Sequence, residues 1–135
     1  HMTVSWEGDK YRVRLNQNPP LHHTRPAVDF LFDSAAASAG ALAVGVLMTG
    51  MGSDGAMGMK RLKVRGAPTI AQDEHSCVVY GMPRAAVEMG VVDHVVSLDQ
   101  IPVTLLRLLQ KRSASAARPH PTGPASANGL HTSQT

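Results

Sequence analysis

The chain has 135 residues, enough for one small domain, and its single cysteine cannot form an internal disulfide. The formal net charge of +3 arises near the end of the chain, because three of the thirteen basic residues follow residue 110. Residues 1–110 therefore contain ten basic and ten acidic residues, and this balance argues against a nucleic-acid-binding protein. The longest apolar run, at 41–48, is too short to span a bilayer, and no signal-peptide pattern opens the chain, so we expect a cytoplasmic protein that is not a membrane protein.

Two strands and a helix are predicted in the first forty residues. Apolar and polar residues alternate at 3–6 and 11–15 around the turn Glu7-Gly8-Asp9-Lys10, which is typical of a β-hairpin. A proline-containing loop at 16–26 follows, and Pro26 suits the first turn of a helix. This helix should end at Gly40, and its apolar face comprises Val28, Leu31, Phe32, Ala35, Ala36 and Ala39.

Strands and helices alternate from residue 42 to residue 111. The nearly continuous apolar run at 42–48 predicts a central strand, since strands buried on both faces of a parallel sheet have this composition. After it we predict a helix to about Arg65, a strand at 68–72, a helix at 82–89, a strand at 91–96 and a helix at 101–111. This βαβαβα order predicts an α/β fold: a partial doubly wound, mostly parallel, Rossmann-like sheet with helices on both faces.

Residues 112–135 differ in composition from the rest of the chain. Ser, Ala, Pro, Thr and Gly predominate, and Leu130 is the only large apolar side chain. Such a segment buries too little apolar surface to offset the entropy lost on ordering. We therefore expect one folded region at 1–111 and a disordered tail at 112–135.

The Gly-rich segment Thr49–Gly55 is the best candidate for a functional site. It joins a buried strand to a helix, and ligands of doubly wound sheets bind beyond the carboxyl ends of the strands. Its three glycines predict positive φ angles or the close approach of another group. Asp54 lies at the N-terminal end of the following helix, where the simplest interpretation is a capping residue in a tight turn.

Two functional interpretations compete with that one. Gly50, Gly52 and Gly55 match the spacing of a dinucleotide fingerprint, with Asp73 about 20 residues further on, although a carboxylate inside the loop would repel a pyrophosphate. Alternatively, Asp54 orients a catalytic histidine, since an ionised carboxylate at a helix N-terminus fixes the tautomer of an imidazole. The second interpretation needs a histidine and a nucleophile from elsewhere.

The remaining titratable residues give weaker indications. Cys77, near His75, is more typical of a small buried apolar residue than of a thiol nucleophile. No zinc or calcium ligand spacing occurs, so no metal and no cofactor are expected. His94 is expected to be partly buried in a strand. The remaining histidines are expected to be exposed in a Pro-rich loop or to lie at or near unstructured ends: His22, His23, His1, His120 and His131.

Three blocks carry a family resemblance: RPAVD at 25–29, LMTGMGSDGA at 47–56 and IAQDEHSCVVYGMP at 70–83. In order and spacing they resemble the CheB-type protein-glutamate methylesterases of bacterial chemotaxis, over about residues 1 to 110. The matched region corresponds to the C-terminal half of that catalytic domain.

The resemblance implies an activity and several site residues. The family hydrolyses γ-methyl esters of glutamates on methyl-accepting chemotaxis receptors and can deamidate receptor glutamines, using Ser, His and Asp in that chain order. The serine and histidine precede the matched region, so only the acid carries over, onto Asp54. Met51 matches a residue that lines the active site and lends its N–H to the oxyanion, and Gly52 and Arg25 are assigned to the substrate. The implied partners are the receptors, the upstream half of the domain, a receiver domain and a chemotaxis kinase.

A non-catalytic interaction module is the alternative from another functional class. Such a module would bind a receptor or a partner half through an exposed sheet edge and the cleft residues. An incomplete parallel sheet leaves apolar surface and unpaired edge groups, which predicts self-association.

Overall fold

The computed structural model describes residues 1–114, the last three of them by backbone alone. In chain order it contains β1 (Met2–Glu7), β2 (Lys10–Leu15), α1 (Val28–Ser38), β3 (Gly45–Leu47), α2 (Ala56–Val64), β4 (Thr69–Gln72), α3 (Met82–Glu88), β5 (His94–Val96) and α4 (Ile101–Ala114). The predicted α/β fold is confirmed. Helix α4 continues three residues past the predicted boundary, and the rest of the predicted disordered tail lies outside the described residues.

The first two strands form the predicted hairpin. Strands β1 and β2 pair antiparallel, with Trp6 opposite Tyr11. The two rings meet edge to face, with centroids 4.7 Å apart and an interplanar angle of 69°. The N–H of Val4 donates to Oγ of Ser34 at 2.9 Å, which joins the hairpin to α1. The hairpin is therefore part of the folded body.

The second sheet has three parallel strands in the order β3-β4-β5. All four residues of β4 are buried, and β4 is the central strand. The predicted central position of residues 42–48 is therefore wrong among residues 1–114, because β3 lies at an edge of this sheet. Gly40–Leu42 forms a 3₁₀ turn, which shortens the strand to Gly45–Leu47. An apolar run predicts that a strand is buried, but it does not indicate how many neighbouring strands that strand pairs with.

The core is formed where α1, α2 and α3 pack together: α2 contacts both other helices, and α2 and α3 both contact β4. Small residues allow close approach there: a Cβ on Gly58 of α2 would lie 2.9 Å from Oδ1 of Asp29 in α1. The buried cluster comprises Ala36, Leu47, Ala56, Met59, Leu62, Ala67, Ala86 and Val91. Among residues 1–114, no helix combines the length and apolar character needed to cross a lipid bilayer.

The amino-terminal end of the sheet is held by Asp93. Its Oδ2 accepts the N–H of Thr69 at 3.0 Å, its own N–H donates to Oγ1 of Thr69 at 2.9 Å, and Lys63 forms an ion pair with its Oδ1. Desolvation raises the pKa of Asp93, but the hydrogen bonds from Lys63 and the Thr69 N–H outweigh it and leave that pKa below its ordinary value. Asp93 thus joins α2 to the strand β4.

Candidate active site

The Gly-rich loop follows β3 and is tied to the segment that precedes α3. The N–H of Gly50 donates to the carbonyl of Val79 at 3.1 Å. The carbonyl of Gly50 in turn accepts the N–H groups of Gly81 at 3.1 Å and Met82 at 2.8 Å. These bonds fix the first part of the loop against the N-terminus of α3.

Gly81 is required there by close approach. A Cβ at this position would lie 2.6 Å from the carbonyl oxygen of Gly50 and 3.0 Å from the amide nitrogen of Gly52. Since both contacts are with backbone, any side chain would displace the loop. Gln72, at the end of β4, holds it from a third direction by accepting the N–H of Thr49 at 2.8 Å.

Asp54 caps helix α1 and not helix α2. Its Oδ2 accepts the N–H of Val28 at 2.7 Å, and its Oδ1 accepts the N–H of Asp29 at 3.0 Å. The residue is 7% exposed. The expectation that Asp54 caps the helix following it is therefore wrong, because its side chain reaches across to the first turn of the preceding helix.

Helix α2 is capped by Asp29 instead. Oδ1 of Asp29 accepts the N–H groups of Gly55 at 3.1 Å and Gly58 at 2.8 Å. Asp29 and Asp54 therefore exchange caps, each receiving donors from the other's helix end. The functional interpretation of the residues did not include Asp29; its available signal was an acidic residue in the first turn of a helix.

His22 is exposed on its loop, as predicted, and it also contacts this pair. Its Nε2 lies 2.9 Å from Oδ2 of Asp29, while its side chain stays 41% exposed. Atoms of His22, Asp29 and Asp54 that could ligate a cation lie within 4.8 Å of one another. Three of the four carboxylate oxygens already accept backbone N–H groups, so the arrangement favours N–H donors over a cation.

The other predicted site residues differ in their surroundings. Met51 is 86% exposed in the same loop as Asp54, and Gly52 beside it is exposed with φ +96°. Arg25 is exposed and donates to the carbonyl of Gln17 at 3.4 Å, within its own loop. The structure thus places Met51 and Gly52 in the Asp54 loop, while Arg25 makes a contact elsewhere.

The prediction that His1 lies near an unstructured end is wrong. Its Nδ1 accepts the N–H of Ala27 at 3.0 Å, its Nε2 lies 2.9 Å from the carbonyl oxygen of Pro19, and its ring stacks on Phe30 with centroids 3.9 Å apart. The residue is buried. His1 therefore holds the residue that immediately precedes α1.

The dinucleotide interpretation is wrong. A pyrophosphate would need the free N–H groups at the start of α2, and those of Gly55 and Gly58 are bonded to a buried carboxylate of the protein itself. Asp73 is engaged in its own turn, where it accepts the N–H and the hydroxyl of Ser76 at 2.9 and 2.6 Å. These hydrogen bonds hold the pKa of Asp73 below its ordinary value.

Cys77 has the surroundings of a poor nucleophile. Desolvation by burial raises the pKa of its thiol above the ordinary value. The thiolate, which is the reactive form, is therefore disfavoured at neutral pH.

Comparison with known proteins gives one consistent family. A family model described as CheB methylesterase matches residues 1–105. The chain is 51% identical over 109 residues to a protein-glutamate methylesterase/protein-glutamine glutaminase of Syntrophus aciditrophicus, covering 81% of this chain and 32% of that protein. A relative of that name from Pectobacterium atrosepticum is 54% identical over 106 residues, covering 78% of this chain and 30% of its own length.

A solved structure agrees in fold. The crystal structure of the Thermotoga maritima CheB methylesterase catalytic domain is similar to this chain with a TM-score of 0.78 and 36% identity. The match covers 80% of this chain and 57% of that one. The chain thus spans about a third of the length of the curated relatives and little more than half of that catalytic domain.

Proposed function

Because the chain belongs to the CheB methylesterase family, we propose that it supplies the acid, Asp54, of a Ser-His-Asp triad whose serine and histidine lie on a preceding part of the domain. The proposed substrates are the γ-methyl esters of glutamates on methyl-accepting chemotaxis receptors, with receptor glutamines as deamidation substrates. The names of the relatives, methylesterase and glutaminase, support both reactions.

The hydrogen bonding of Asp54 carries this proposal. An ionised carboxylate has about four lone-pair sites, and the N–H groups of Val28 and Asp29 occupy two of them. The carboxylate is held in one orientation and nearly buried, but it can accept another donor. The N–H of an imidazole is such a donor, and the bond would fix the tautomer that a general base requires.

The reaction then follows from the chemistry of acyl transfer. The serine hydroxyl attacks the ester carbonyl while the histidine takes its proton. The tetrahedral oxyanion then collapses as the histidine gives that proton to the departing methoxide, which leaves as methanol. Water, activated by the same histidine, hydrolyses the acyl-enzyme and regenerates the serine and a free glutamate. Asp54 stabilises the imidazolium formed in both steps and keeps its own charge.

The backbone at Met51 and Gly52 suits the stabilisation of an oxyanion. Both residues are exposed in the loop that carries Asp54, and the loop is fixed by its bonds to α3, so its N–H groups are preorganised. Arg25 lies on an exposed loop, where we assign it to attraction of the acidic receptor surface. We place the enzyme in the cytoplasm, with a receiver domain and a chemotaxis kinase as further partners.

The exposed edge of strand β3 also supports the proposal that another part of the catalytic domain packs against this chain. Among residues 1–114, β3 pairs only with β4, and Met48 at its end is 43% exposed. An edge strand presents unpaired N–H and C=O groups that another parallel strand can satisfy. We assign this edge to the part of the domain that carries the serine and histidine.

Methanol release from methylated receptor tests the proposal. The chain is assayed alone and mixed with the upstream part of the catalytic domain, with the Asp54→Asn variant as the control. We expect methanol only from the mixture, and a loss of the activity in the variant. Methanol release by the chain alone would contradict the assignment of serine and histidine to the upstream part.

A further inference from the structure

We infer that Asp29 is a positioning residue for Asp54, because the two carboxylates belong to one closed ring of hydrogen bonds. The inference rests on the proposed role of Asp54 as the triad acid. Asp29 touches neither the substrate nor the histidine of the triad in this proposal. It acts by fixing both the side chain and the backbone of Asp54.

The ring closes through two side chains and two backbone groups. Oδ1 of Asp54 accepts the N–H of Asp29 at 3.0 Å. Oδ1 of Asp29 accepts the N–H of Gly55 at 3.1 Å, and this N–H belongs to the peptide that joins Asp54 to Gly55. The side chain of Asp29 therefore accepts an N–H from the peptide that follows Asp54, while the backbone N–H of Asp29 donates to the side chain of Asp54.

Two flanking bonds stiffen the ring. Asp29 Oδ1 also accepts the N–H of Gly58 at 2.8 Å, and Asp54 Oδ2 accepts the N–H of Val28 at 2.7 Å. Each carboxylate thus binds the positive end of a helix dipole, where a negative charge is favourable. Both residues are below a tenth exposed, at 3% and 7%, so water competes weakly for these donors.

His22 supports the ring from the solvent side. Its Nε2 lies 2.9 Å from Oδ2 of Asp29, the one carboxylate oxygen of the pair that receives no backbone donor from residues 1–114. This contact engages Oδ2 of Asp29 while its Oδ1 accepts the N–H groups of Gly55 and Gly58. His22 is therefore a second, weaker positioning group.

The activity test compares three variants in the two-component methanol-release assay. Asp29→Ala opens the ring, and we expect kcat to fall about 10- to 100-fold with KM unchanged, since a displacement near 1 Å from productive geometry costs up to about 10²-fold. Asp29→Asn keeps an oxygen that accepts the Gly55 and Gly58 N–H groups, so it should restore kcat to within about threefold of wild type. Asp33→Ala removes the carboxylate one turn further along α1, which is paired with Arg61, and should leave kcat unchanged.

A loss in Asp29→Ala that Asp29→Asn does not relieve overturns the inference, as does equal activity of Asp29→Ala and Asp33→Ala. An effect confined to a rise in KM, with kcat unchanged, overturns it too, because it would place Asp29 in binding of the receptor.

Amide hydrogen exchange of the unaltered chain supplies a second measurement that needs no variant to fold. A closed ring opens as a unit, so the amides of Val28, Asp29, Gly55 and Gly58 should share one protection factor within about threefold. If the amides of Gly55 and Gly58 exchange rapidly while those of Val28 and Asp29 are protected, the inference of a closed hydrogen-bond ring is overturned. If Asp54→Asn retains full activity, the proposed function fails, and this exchange measurement alone decides whether Asp29 fixes Asp54.

Discussion

The two ends of the parallel sheet both use an aspartate, in opposite ways. At the amino-terminal end, Asp93 is paired with Lys63 and bonded to Thr69. At the carboxyl end, Asp54 has no Lys or Arg partner within residues 1–111, and its charge is balanced by backbone N–H groups at the start of α1. An ammonium neutralises a carboxylate, whereas N–H dipoles orient it and leave its full charge in place. The pairing of Asp93 suits a residue that joins two elements of the fold. The environment of Asp54 suits a carboxylate that must stabilise a cation during a reaction.

Removal of each charge in turn tests whether the two aspartates differ in function. We expect Asp54→Asn to lower kcat about 10³- to 10⁴-fold in the two-component methanol-release assay, because an amide in the place of a triad acid stabilises the wrong imidazole tautomer. Asp93→Asn should leave kcat within about twofold. Similar losses in both variants would mean that the two ends do not differ in function.

Each end of the sheet also has a nearby glycine at which an added side chain would be unfavourable, Gly81 at one end and Gly90 at the other. Gly81→Ala should push the Gly50–Gly52 backbone away, and we expect about tenfold lower kcat and a loss of about 1–3 kcal/mol in the free energy of unfolding. Gly90, near the opposite end, has open space but φ +71°, so Gly90→Ala should cost about 1–2 kcal/mol without changing kcat. Urea unfolding and the methanol assay measure both quantities. An unchanged kcat in Gly81→Ala would show that the loop tolerates displacement.

The smallest expected effect is a change in acid stability. The pKa of Asp93 is lowered in the folded protein, so its stabilisation is present above the ordinary aspartate pKa of about 3.9 and is lost as pH falls through the lower, folded pKa. Asp93→Asn should therefore lower stability at pH 7 and flatten the acid limb of the stability curve. Urea midpoints between pH 7 and pH 3 check this, and parallel curves for the two proteins would count against it.

The sequence predicts the order and type of the elements well because each element carries a local signal. The hairpin alternation, the helix from Val28 and the βαβαβα order all appear in the structure. The position of β3 at an edge among residues 1–114 could not be predicted, since an apolar run gives the burial of a strand but not its number of neighbours. The family resemblance, carried by three blocks, is confirmed over residues 1–105.

The position of Asp54 in the Gly-rich loop could be predicted from the sequence, but its hydrogen-bond partners could not. The Gly-rich loop after a buried strand and Asp54 within it followed from local pattern and topology. The exchange of caps between Asp54 and Asp29 depends on how α1 packs against α2, which lies beyond local sequence. His22 lies exposed in a loop as predicted, whereas His1 was predicted to lie near an unstructured end. The hydrogen bonds of both are set by tertiary packing, which the local sequence does not give. The catalytic role of Asp54 stays a prediction.

The paired rings of the hairpin give the molecule an optical label of its own. Trp6 is the only tryptophan in the chain, and it packs against Tyr11 in a hairpin that belongs to neither end of the parallel sheet. Its emission therefore reports the hairpin, while far-UV circular dichroism reports the helices. Coincident urea curves from the two signals would mean that the hairpin and the helices unfold as a single cooperative unit. A lower urea midpoint for the tryptophan signal would mean that the hairpin detaches first.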